Sequence, residues 1–392
     1  MEVILVKLST GTRLLRSLVR SGKAQRRTVG KLVSQLFEAP KPARKAKAKA
    51  KAEPKLKAAP KPLIKAAAPA VRRPSVAKAP PHAPPAPGKW LAAHYTAPPQ
   101  AGALAGRRMS YWLYLPENVP QPALDSGLPL VVMLHGCHQT ATQFAQGTRM
   151  NQLAERAGYA VLYPQQLVST QAQRCWKWYD KATQDGGGDV PTIAAIIDKV
   201  AGQYRIDRSR IYIAGMSAGA GMANIVALHH PRLIAALGLH SGPMFGAGHS
   251  VMGALGVMQH GAAARVDSAI AEVLRRQAPF PAMPTMLIQG QGDKVVRPIN
   301  QIELARQGLL LNRLSAGGPS KMALKPAGRG RNAHEIRDFY AGRKVLLRVA
   351  SVAQLGHAWS GGDASLAYND QTGPDASKML LDFFARHRRV VD

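Results

Sequence analysis

One serine of this chain lies in a sequence pattern typical of serine hydrolases. Residues 215–219 read Gly-Met-Ser-Ala-Gly and directly follow the short apolar run 211–214. In a strand-to-helix turn of this G-x-S-x-G kind, the glycines leave room for the neighbouring strand and helix, and the serine Oγ is presented to a substrate. The alternative is an ordinary turn of small residues that begins a helix, because Gly, Ala and Ser are abundant in this chain. The pattern makes Ser217 a candidate nucleophile.

A candidate acid and a candidate base follow two later apolar runs. Asp293 comes shortly after the run 285–290, and His357 comes after the run 345–352. Because sites form at the carboxyl ends of the strands in a parallel sheet, we expect both residues at the same sheet edge as Ser217. The chain order Ser, Asp, His is that of the α/β hydrolases.

Other aspartates and histidines compete for these two roles. They lie in polar or basic stretches, or do not directly follow an apolar strand: Asp267, Asp338, His334 and His387. An aspartate after Gly-x-Gly can also be a simple turn residue. A lone histidine in a Gly-rich loop is ordinarily structural or solvated. The positions directly after predicted strands favour Asp293 and His357.

These three residue types together can carry out acyl transfer. Ser217 Oγ is a poor nucleophile while it keeps its proton, so His357 must accept that proton and later return it to the leaving alcohol. Asp293 would hold the imidazole in the productive tautomer and stabilise the imidazolium. The sequence therefore predicts a Ser217, Asp293, His357 triad.

The oxyanion of acyl transfer needs two preorganised backbone donors. We expect one to be the N–H of Ala218, at the start of the helix that follows the serine. The other is expected in the loop after the apolar run 128–134, from the N–H of Cys137 or of its neighbour His138. His135, in the same loop, is predicted to anchor the loop by hydrogen bonds rather than to take part in catalysis.

Three of the five tryptophans, together with His138, are candidate substrate-binding residues. Trp176 and Trp178 flank a lysine in an otherwise polar loop, and Trp359 lies in the segment of the candidate base. We expect the three rings to form an apolar wall for the acyl group of a substrate. The alternative is that these tryptophans only pack their loops onto the domain.

Strands alternate with helices along most of the chain after residue 90. The apolar runs 128–134 and 159–164 are typical of strands covered on both faces, and 191–203 has apolar residues on one side of a predicted helix. This order predicts one α/β domain with a mainly parallel sheet flanked by helices. The segment 244–278 is long enough to form a cap or helices beside the site.

The positive charge of the chain is unevenly distributed. The 392 residues carry a formal net charge of +31, and residues 1–90 hold 22 of the Lys and Arg residues but three of the Asp and Glu residues. We predict a basic amphipathic segment over 1–37, a disordered linker rich in Lys, Ala and Pro over 38–90, and a catalytic domain over 91–392.

The charge of residues 1–90, the basic N-terminal arm, predicts an anionic partner. Its charge would attract an anionic surface, such as a polymer granule, lipid headgroups or nucleic acid. The alternative is a solvated linker with no specific partner. No segment of the sequence approaches the ~20 apolar residues of a membrane span, and no secretory signal peptide is evident.

The two cysteines of the chain, Cys137 and Cys175, form neither a disulfide framework nor a metal site. The sequence leaves two states of this pair open: one disulfide bond between them, or two free buried thiols. We predict no metal and no cofactor.

Seven passages of the chain resemble the poly(3-hydroxybutyrate) depolymerase family of esterases, which is related to feruloyl and acetylxylan esterases. They are LHGCHQT at 134–140, GTRMN at 147–151, YPQ at 163–165, CWKW at 175–178, IAGMSAG at 213–219, HSG at 240–242 and GHAWSGG at 356–362. The resemblance covers about residues 105–388. It implies an α/β-hydrolase fold, no metal, and a Ser217, Asp293, His357 triad that acts on short-chain hydroxyacyl esters, poly(3-hydroxybutyrate) or its oligomers.

Other functions stay open from the sequence. A feruloyl or acetylxylan esterase is the nearest alternative, and a granule- or nucleoid-binding protein with an inactive hydrolase domain is an alternative of another class. Secreted members of the family usually start with a signal peptide, which is not evident here. A cytoplasmic or granule-associated location is therefore favoured, with an extracellular one as the alternative.

Overall fold

The computed structural model describes residues 86–98, 106–169, 171–328 and 330–389. The predicted basic segment 1–37 and most of the predicted linker 38–90 lie outside the described residues. No helix in the described ranges is both long enough and apolar enough to cross a membrane.

The strands of the described residues are β1 (Lys89–Thr96), β2 (Arg108–Leu115), β3 (Leu128–Leu134), β4 (Ala160–Gln165), β5 (Ile206–Met216), β6 (Ala236–His240), β7 (Thr285–Gly290), β8 (Ser320–Lys325), β9 (His334–Ala341), β10 (Lys344–Val352), β11 (Trp359–Ser360) and β12 (Asn369–Asp370). Ten of them form one sheet in the order β1-β2-β4-β3-β5-β6-β7-β10-β9-β8. The neighbours from β4 to β10 run parallel, and the outer strands pair antiparallel. The predicted mainly parallel sheet is confirmed.

The helices are α1 (Gln121–Ser126), α2 (Ala141–Thr148), α3 (Met150–Ala157), α4 (Lys181–Gln184), α5 (Val190–Gln203), α6 (Ala218–His229), α7 (Val251–His260), α8 (Ala263–Arg276), α9 (Ile299–Leu311) and α10 (Ala376–Phe384). The core on one sheet face includes apolar residues of α5 to α9, and the core on the other includes those of α2, α3 and α10. The sheet is therefore flanked by helices on both faces, as the sequence predicted.

Strand β5 illustrates how the sequence produces this arrangement. Ile211 and Ile213 face one core, and the alternate residues Tyr212 and Ala214 face the other. Because both faces are covered, the strand is a continuous apolar run rather than an alternating one. Such a strand must lie in the middle of the sheet, and its carboxyl end is where Ser217 follows.

The segment 244–278 forms α7 and α8 in the structure, one of the two arrangements that its length allowed. The antiparallel strands β8 and β9 were not predicted from the sequence. β8 is an edge strand with mostly exposed residues, so it lacks the apolar run that identified the central strands.

Candidate active site

Ser217 lies in the tight turn between β5 and α6. Its backbone has φ 56° and ψ −123°, a conformation that residues with a side chain rarely adopt, and its N–H donates to the carbonyl of His240 at 3.0 Å. A Cβ on Gly219 would collide with the carbonyl oxygens of Leu134 and His135, which lie in and after β3. The close approach of β3 to the turn thus requires glycine at position 219, two residues after the serine.

The candidate base and acid form a hydrogen-bonded pair. His357 Nδ1–H donates to Asp293 Oδ2 at 2.8 Å, and Asp293 Oδ1 accepts the N–H groups of Val295 and Val296, each at 2.9 Å. Burial alone would raise the pKa of Asp293, but the charge and hydrogen bond of His357 and the two backbone hydrogen bonds outweigh it and lower this pKa. The carboxylate therefore stays ionised at neutral pH and fixes the tautomer of the imidazole.

Ser217 and His357 line the same small cavity. The cavity has a volume of about 10 Å³ and is also lined by Cys137, Gln139 and Tyr368. Ser217 Oγ is buried and makes no hydrogen bond with any described residue. The structure thus brings the three triad candidates together without a hydrogen bond between Ser217 and His357. Catalytic hydrogen bonds are often long or poorly aligned when no substrate is bound.

The loop after β3 presents a backbone donor beside the serine. The N–H of His138 donates to the carbonyl of Gln173 at 2.7 Å, so it is already used and does not suit an oxyanion. Cys137, in contrast, lines the cavity of Ser217. Ala218 is the first residue of α6, where N–H groups have no acceptor within the helix. Cys137 and Ala218 therefore remain the two candidate donors.

His135 anchors this loop, as predicted. Its ring is buried, with Nδ1–H donating to the carbonyl of Gly136 at 2.8 Å and Nε2 accepting the N–H of Gln166 at 3.1 Å. Its backbone carbonyl accepts the indole N–H of Trp176 at 2.9 Å. Burial lowers the pKa of His135 to about 4, so the ring is neutral and holds the loop through its two hydrogen bonds.

Cys137 and Cys175 form a disulfide bond, one of the two states that the sequence left open. The bond joins the loop after β3 to the segment that contains Trp176 and Trp178. The residue that offers the candidate oxyanion donor is thereby covalently tied to a second loop.

The tryptophans do not form the expected wall. The exposed fractions of Trp176, Trp178 and Trp359 are 0%, 5% and 1%, so none presents an exposed ring to a substrate. Trp359 stacks on His240 with ring centroids 4.9 Å apart and donates its indole N–H to Ser377 Oγ at 3.1 Å. The packing alternative accounts for these residues, because Trp176 and Trp178 pack in the core on one sheet face and Trp359 packs in the core on the other.

The exposed residue among the substrate-binding candidates is His138. Its φ of 62° and its N–H bond to the Gln173 carbonyl hold it at the surface end of the loop. Burial of part of the ring lowers its pKa.

Two supporting residues escaped the sequence reasoning. Gln289 Nε2–H donates to Asp293 Oδ2 at 3.0 Å and to the carbonyl of Val296 at 2.8 Å. His240 is buried, accepts the N–H of Ser360 at Nε2 and has its pKa lowered to about 3 by burial and by His357. Gln289 lies four residues before Asp293, but the sequence does not indicate which strand residues face the acid.

The residues that the structure describes contain no group of three or more His, Cys, Asp or Glu side chains that could hold a metal ion.

Comparison with known proteins gives a consistent set of relatives. A family model described as Esterase PHB depolymerase matches residues 109–331. Acetylxylan esterase A of Emericella nidulans is 35% identical over 130 residues, which cover 33% of this chain and 40% of that protein. Poly(3-hydroxyalkanoate) depolymerase C of Paucimonas lemoignei is 30% identical over 196 residues, 49% of this chain and 46% of that protein. The chain thus spans less than half the length of these curated relatives.

A solved structure shares the overall arrangement. It is an acetyl xylan esterase from Aspergillus awamori, with a TM-score of 0.56 and 20% identity, covering 71% of this chain and 94% of that one. At this level of identity the likeness concerns the fold alone.

Proposed function

The chain belongs to the family described as esterase PHB depolymerase, and on this premise we propose that it hydrolyses carboxylic esters with Ser217 as the nucleophile. His357 acts as the general base and acid, and Asp293 orients it. The observation that carries the proposal is the 2.8 Å hydrogen bond from His357 to Asp293, beside a cavity that His357 shares with Ser217.

In the first half of the reaction, Ser217 Oγ attacks the ester carbonyl carbon while its proton passes to Nε2 of His357. The N–H groups of Cys137 and Ala218 donate to the oxyanion. Asp293 stabilises the imidazolium because its lowered pKa keeps it ionised. Collapse of the intermediate breaks the bond to the alcohol oxygen, which takes the proton from Nε2, and leaves an acyl-serine.

In the second half, a water molecule gives a proton to His357 and attacks the acyl carbonyl. The second oxyanion uses the same two donors. Its collapse returns the proton from His357 to Ser217 Oγ and releases the carboxylic acid. Replacing Ser217 with Ala should lower kcat about 10⁶-fold. Ser268→Ala, at an exposed position of α8, is the matched control and should keep full activity.

The proposed substrates are short-chain hydroxyacyl esters, most specifically poly(3-hydroxybutyrate) or its oligomers. The similarity to a poly(3-hydroxyalkanoate) depolymerase supports this choice. Release of 3-hydroxybutyrate from amorphous polymer and from oligomers would test it.

An acetylxylan esterase is the second candidate, favoured by the acetylxylan esterases among the relatives. Acetate release from acetylated xylan, measured beside hydroxybutyrate release and hydrolysis of methyl ferulate, separates the two. A feruloyl esterase would instead hydrolyse methyl ferulate fastest.

A protein that binds granules or nucleoid with an inactive hydrolase domain is the alternative of another class. It requires that purified wild-type chain hydrolyse none of these esters. Hydrolysis that disappears in Ser217→Ala would exclude it.

We further propose that the basic arm, residues 1–90, attaches the enzyme to an anionic surface. The excess of Lys and Arg in this segment supports the proposal. Binding of the full chain to anionic vesicles, to DNA and to polymer granules should weaken steeply as salt is raised. No binding at low salt to any of the three would leave the arm as a solvated linker.

A further inference from the structure

A second, larger concavity lies next to the candidate active site. This groove has a volume of about 650 Å³ and lies between β2, α2 and the loop that follows β4. Trp112 of β2, Thr142 and Gln146 of α2, and Val168 and Arg174 of the following loop are among its lining residues. Its size is that of a site for a small molecule or for several units of a chain.

The groove and the cavity of Ser217 are lined by neighbouring residues of the chain. Gln139 lines the cavity and Thr140, the next residue, lines the groove. Consecutive Cα atoms are about 3.8 Å apart, so the two concavities lie side by side at this loop. On the other side, Arg174 of the groove precedes Cys175, which is bonded to Cys137 of the cavity. A chain whose ester bond reaches Ser217 can therefore extend into the groove.

The lining of the groove suits a ligand that accepts hydrogen bonds. The lining that the structure describes includes no Asp or Glu, so it lacks the carboxylates that best accept from hydroxyl groups. The amide of Gln146 and the guanidinium of Arg174 can donate, and a guanidinium can only donate. Leu167 and Val168 add apolar surface, and the exposed fraction of Val168 is 49%.

Among the described residues that line the groove, Arg174 is the one with a charged side chain. The ion pairs within the described ranges do not include it. Its charge acts on His135, whose pKa is lowered mainly by burial, so that this ring is neutral. The charge of Arg174 is therefore available to an anionic group of a ligand.

We propose that this groove binds the hydroxyacid units on the alcohol side of the scissile ester, and that Arg174 pairs with the terminal carboxylate of such an oligomer. The inference rests on the proposed function. An oligomer of hydroxyacids offers ester carbonyls and aliphatic groups along its length and one carboxylate at the alcohol side of its ester bonds. These groups match the donors, the apolar surface and the single cation of the groove. The enzyme is then an oligomer hydrolase that prefers free acids.

The test compares the 3-hydroxybutyrate trimer as the free acid with its methyl ester, which lacks the charge. Wild-type enzyme should have a kcat/KM at least about 10-fold higher for the acid, since a hydrogen bond to a charged group contributes about that factor or more. Arg174→Gln should lose this preference through a higher KM and keep wild-type rates on p-nitrophenyl acetate. Arg174→Lys should retain part of the preference. Arg156→Gln, at an exposed position of α3, is the matched control and should retain all of it.

Equal kcat/KM for the acid and the methyl ester in the wild type would overturn the proposal. So would an Arg174→Gln variant that loses activity equally on both trimers and on p-nitrophenyl acetate, because that pattern reports damage to the disulfide-linked loop. Thr142→Ala with Gln146→Ala gives a second probe at a distance from the disulfide. This pair should raise KM for the trimer acid and leave p-nitrophenyl acetate unaffected, and an unchanged KM would contradict a role for the groove.

Binding separates this inference from the proposed function. The Ser217→Ala enzyme should bind the trimer acid by calorimetry, and Ser217→Ala with Arg174→Gln should bind it at least about 10-fold more weakly. If the trimer binds in this Arg174-dependent way but is not hydrolysed by the wild type, the proposed function is wrong and the proposed binding role of the groove is supported. If the wild type hydrolyses the trimer but Arg174→Gln changes neither binding nor KM, the proposed role of the groove is wrong and the proposed function is supported.

Discussion

Gln289 donates its side-chain amide to the carboxylate of Asp293 at 3.0 Å, and the oxygen that accepts this bond is the one that accepts from His357. The acid of the proposed triad is therefore held from the strand β7 as well as from the loop that follows it. Four donors converge on one buried carboxylate, two on each oxygen: those of Gln289, His357, Val295 and Val296. Such a carboxylate has little freedom to turn.

Gln289→Leu should lower kcat about 5-fold or more with little change in KM. The substitution removes two hydrogen bonds, one to Asp293 Oδ2 and one to the carbonyl of Val296. The bond to Asp293 contributes about 1 kcal/mol to holding a group that acts through His357 and does not touch the substrate. Steady-state kinetics together with thermal unfolding would measure it. Gln121→Leu, at an exposed position in α1, is the control. A variant whose KM rises while kcat is unchanged would contradict the positioning role.

Gly219→Ala should abolish most activity and destabilise the fold. The new Cβ would meet the backbone carbonyls of Leu134 and His135, which cannot move without displacing β3. Gly256→Ala is the matched control, because nothing lies within 4 Å of a Cβ at this position of α7, and it should stabilise by up to about 1 kcal/mol. Urea unfolding and ester hydrolysis of both variants decide the point. An active, stable Gly219→Ala protein would mean that the turn has another geometry.

The disulfide between Cys137 and Cys175 should support catalysis as well as stability. Cys175→Ser frees the loop that offers the Cys137 N–H, and misplacing one oxyanion donor lowers kcat by about 10² to 10³-fold. The free energy of unfolding should fall by about 2–5 kcal/mol. Reductant should inactivate the wild type and leave the residual activity of the variant unchanged. Full activity in Cys175→Ser would show that the loop holds its position without the bond.

The fold should lose stability as the pH falls below about 6.5. Burial lowers the pKa of His135 to about 4, of His240 to about 3 and of His387 to about 4, against an ordinary value of 6.5. At a pH between the lowered pKa of each ring and 6.5, the unfolded chain binds a proton that the folded chain does not. The free energy of unfolding therefore rises with pH in this range. Each histidine contributes a slope of up to about 1.4 kcal/mol per pH unit.

Urea unfolding at pH 7, 6 and 5 would measure this slope. His387→Gln, far from the candidate active site near the C-terminus, should make it shallower by the contribution of one proton. An unfolding free energy that stays constant from pH 7 to pH 5 would contradict the neutral, buried state of these rings.

The central strands and the order of the triad candidates could be predicted from the sequence because they depend on local signals. Buried parallel strands are continuous apolar runs, and the residues that follow them reach one sheet edge. Ser217, Asp293 and His357 each follow such a strand, so the sequence alone predicts them as the triad candidates. The edge strand β8 has no such run, since its residues are mostly exposed, and it was missed.

The surroundings of the site depend on contacts between distant segments, which the sequence does not display. Trp176 lies in a polar stretch, and the sequence predicts that it forms part of an apolar wall for the acyl group. In the structure its indole is buried and donates to the carbonyl of His135. In the same way, His138 N–H is occupied by Gln173, a residue 35 positions later in the chain. Which face a loop residue presents is fixed by such partners rather than by its neighbours in sequence.

The proposed mechanism depends above all on Ser217 being the nucleophile. Intact-protein mass spectrometry after reaction with a fluorophosphonate, followed by peptide mapping, measures it in one experiment. We expect one adduct per chain, on Ser217, with loss of ester hydrolysis in proportion to labelling and no adduct on Ser217→Ala. Labelling of another residue, or hydrolysis that persists in Ser217→Ala at the wild-type rate, would contradict it.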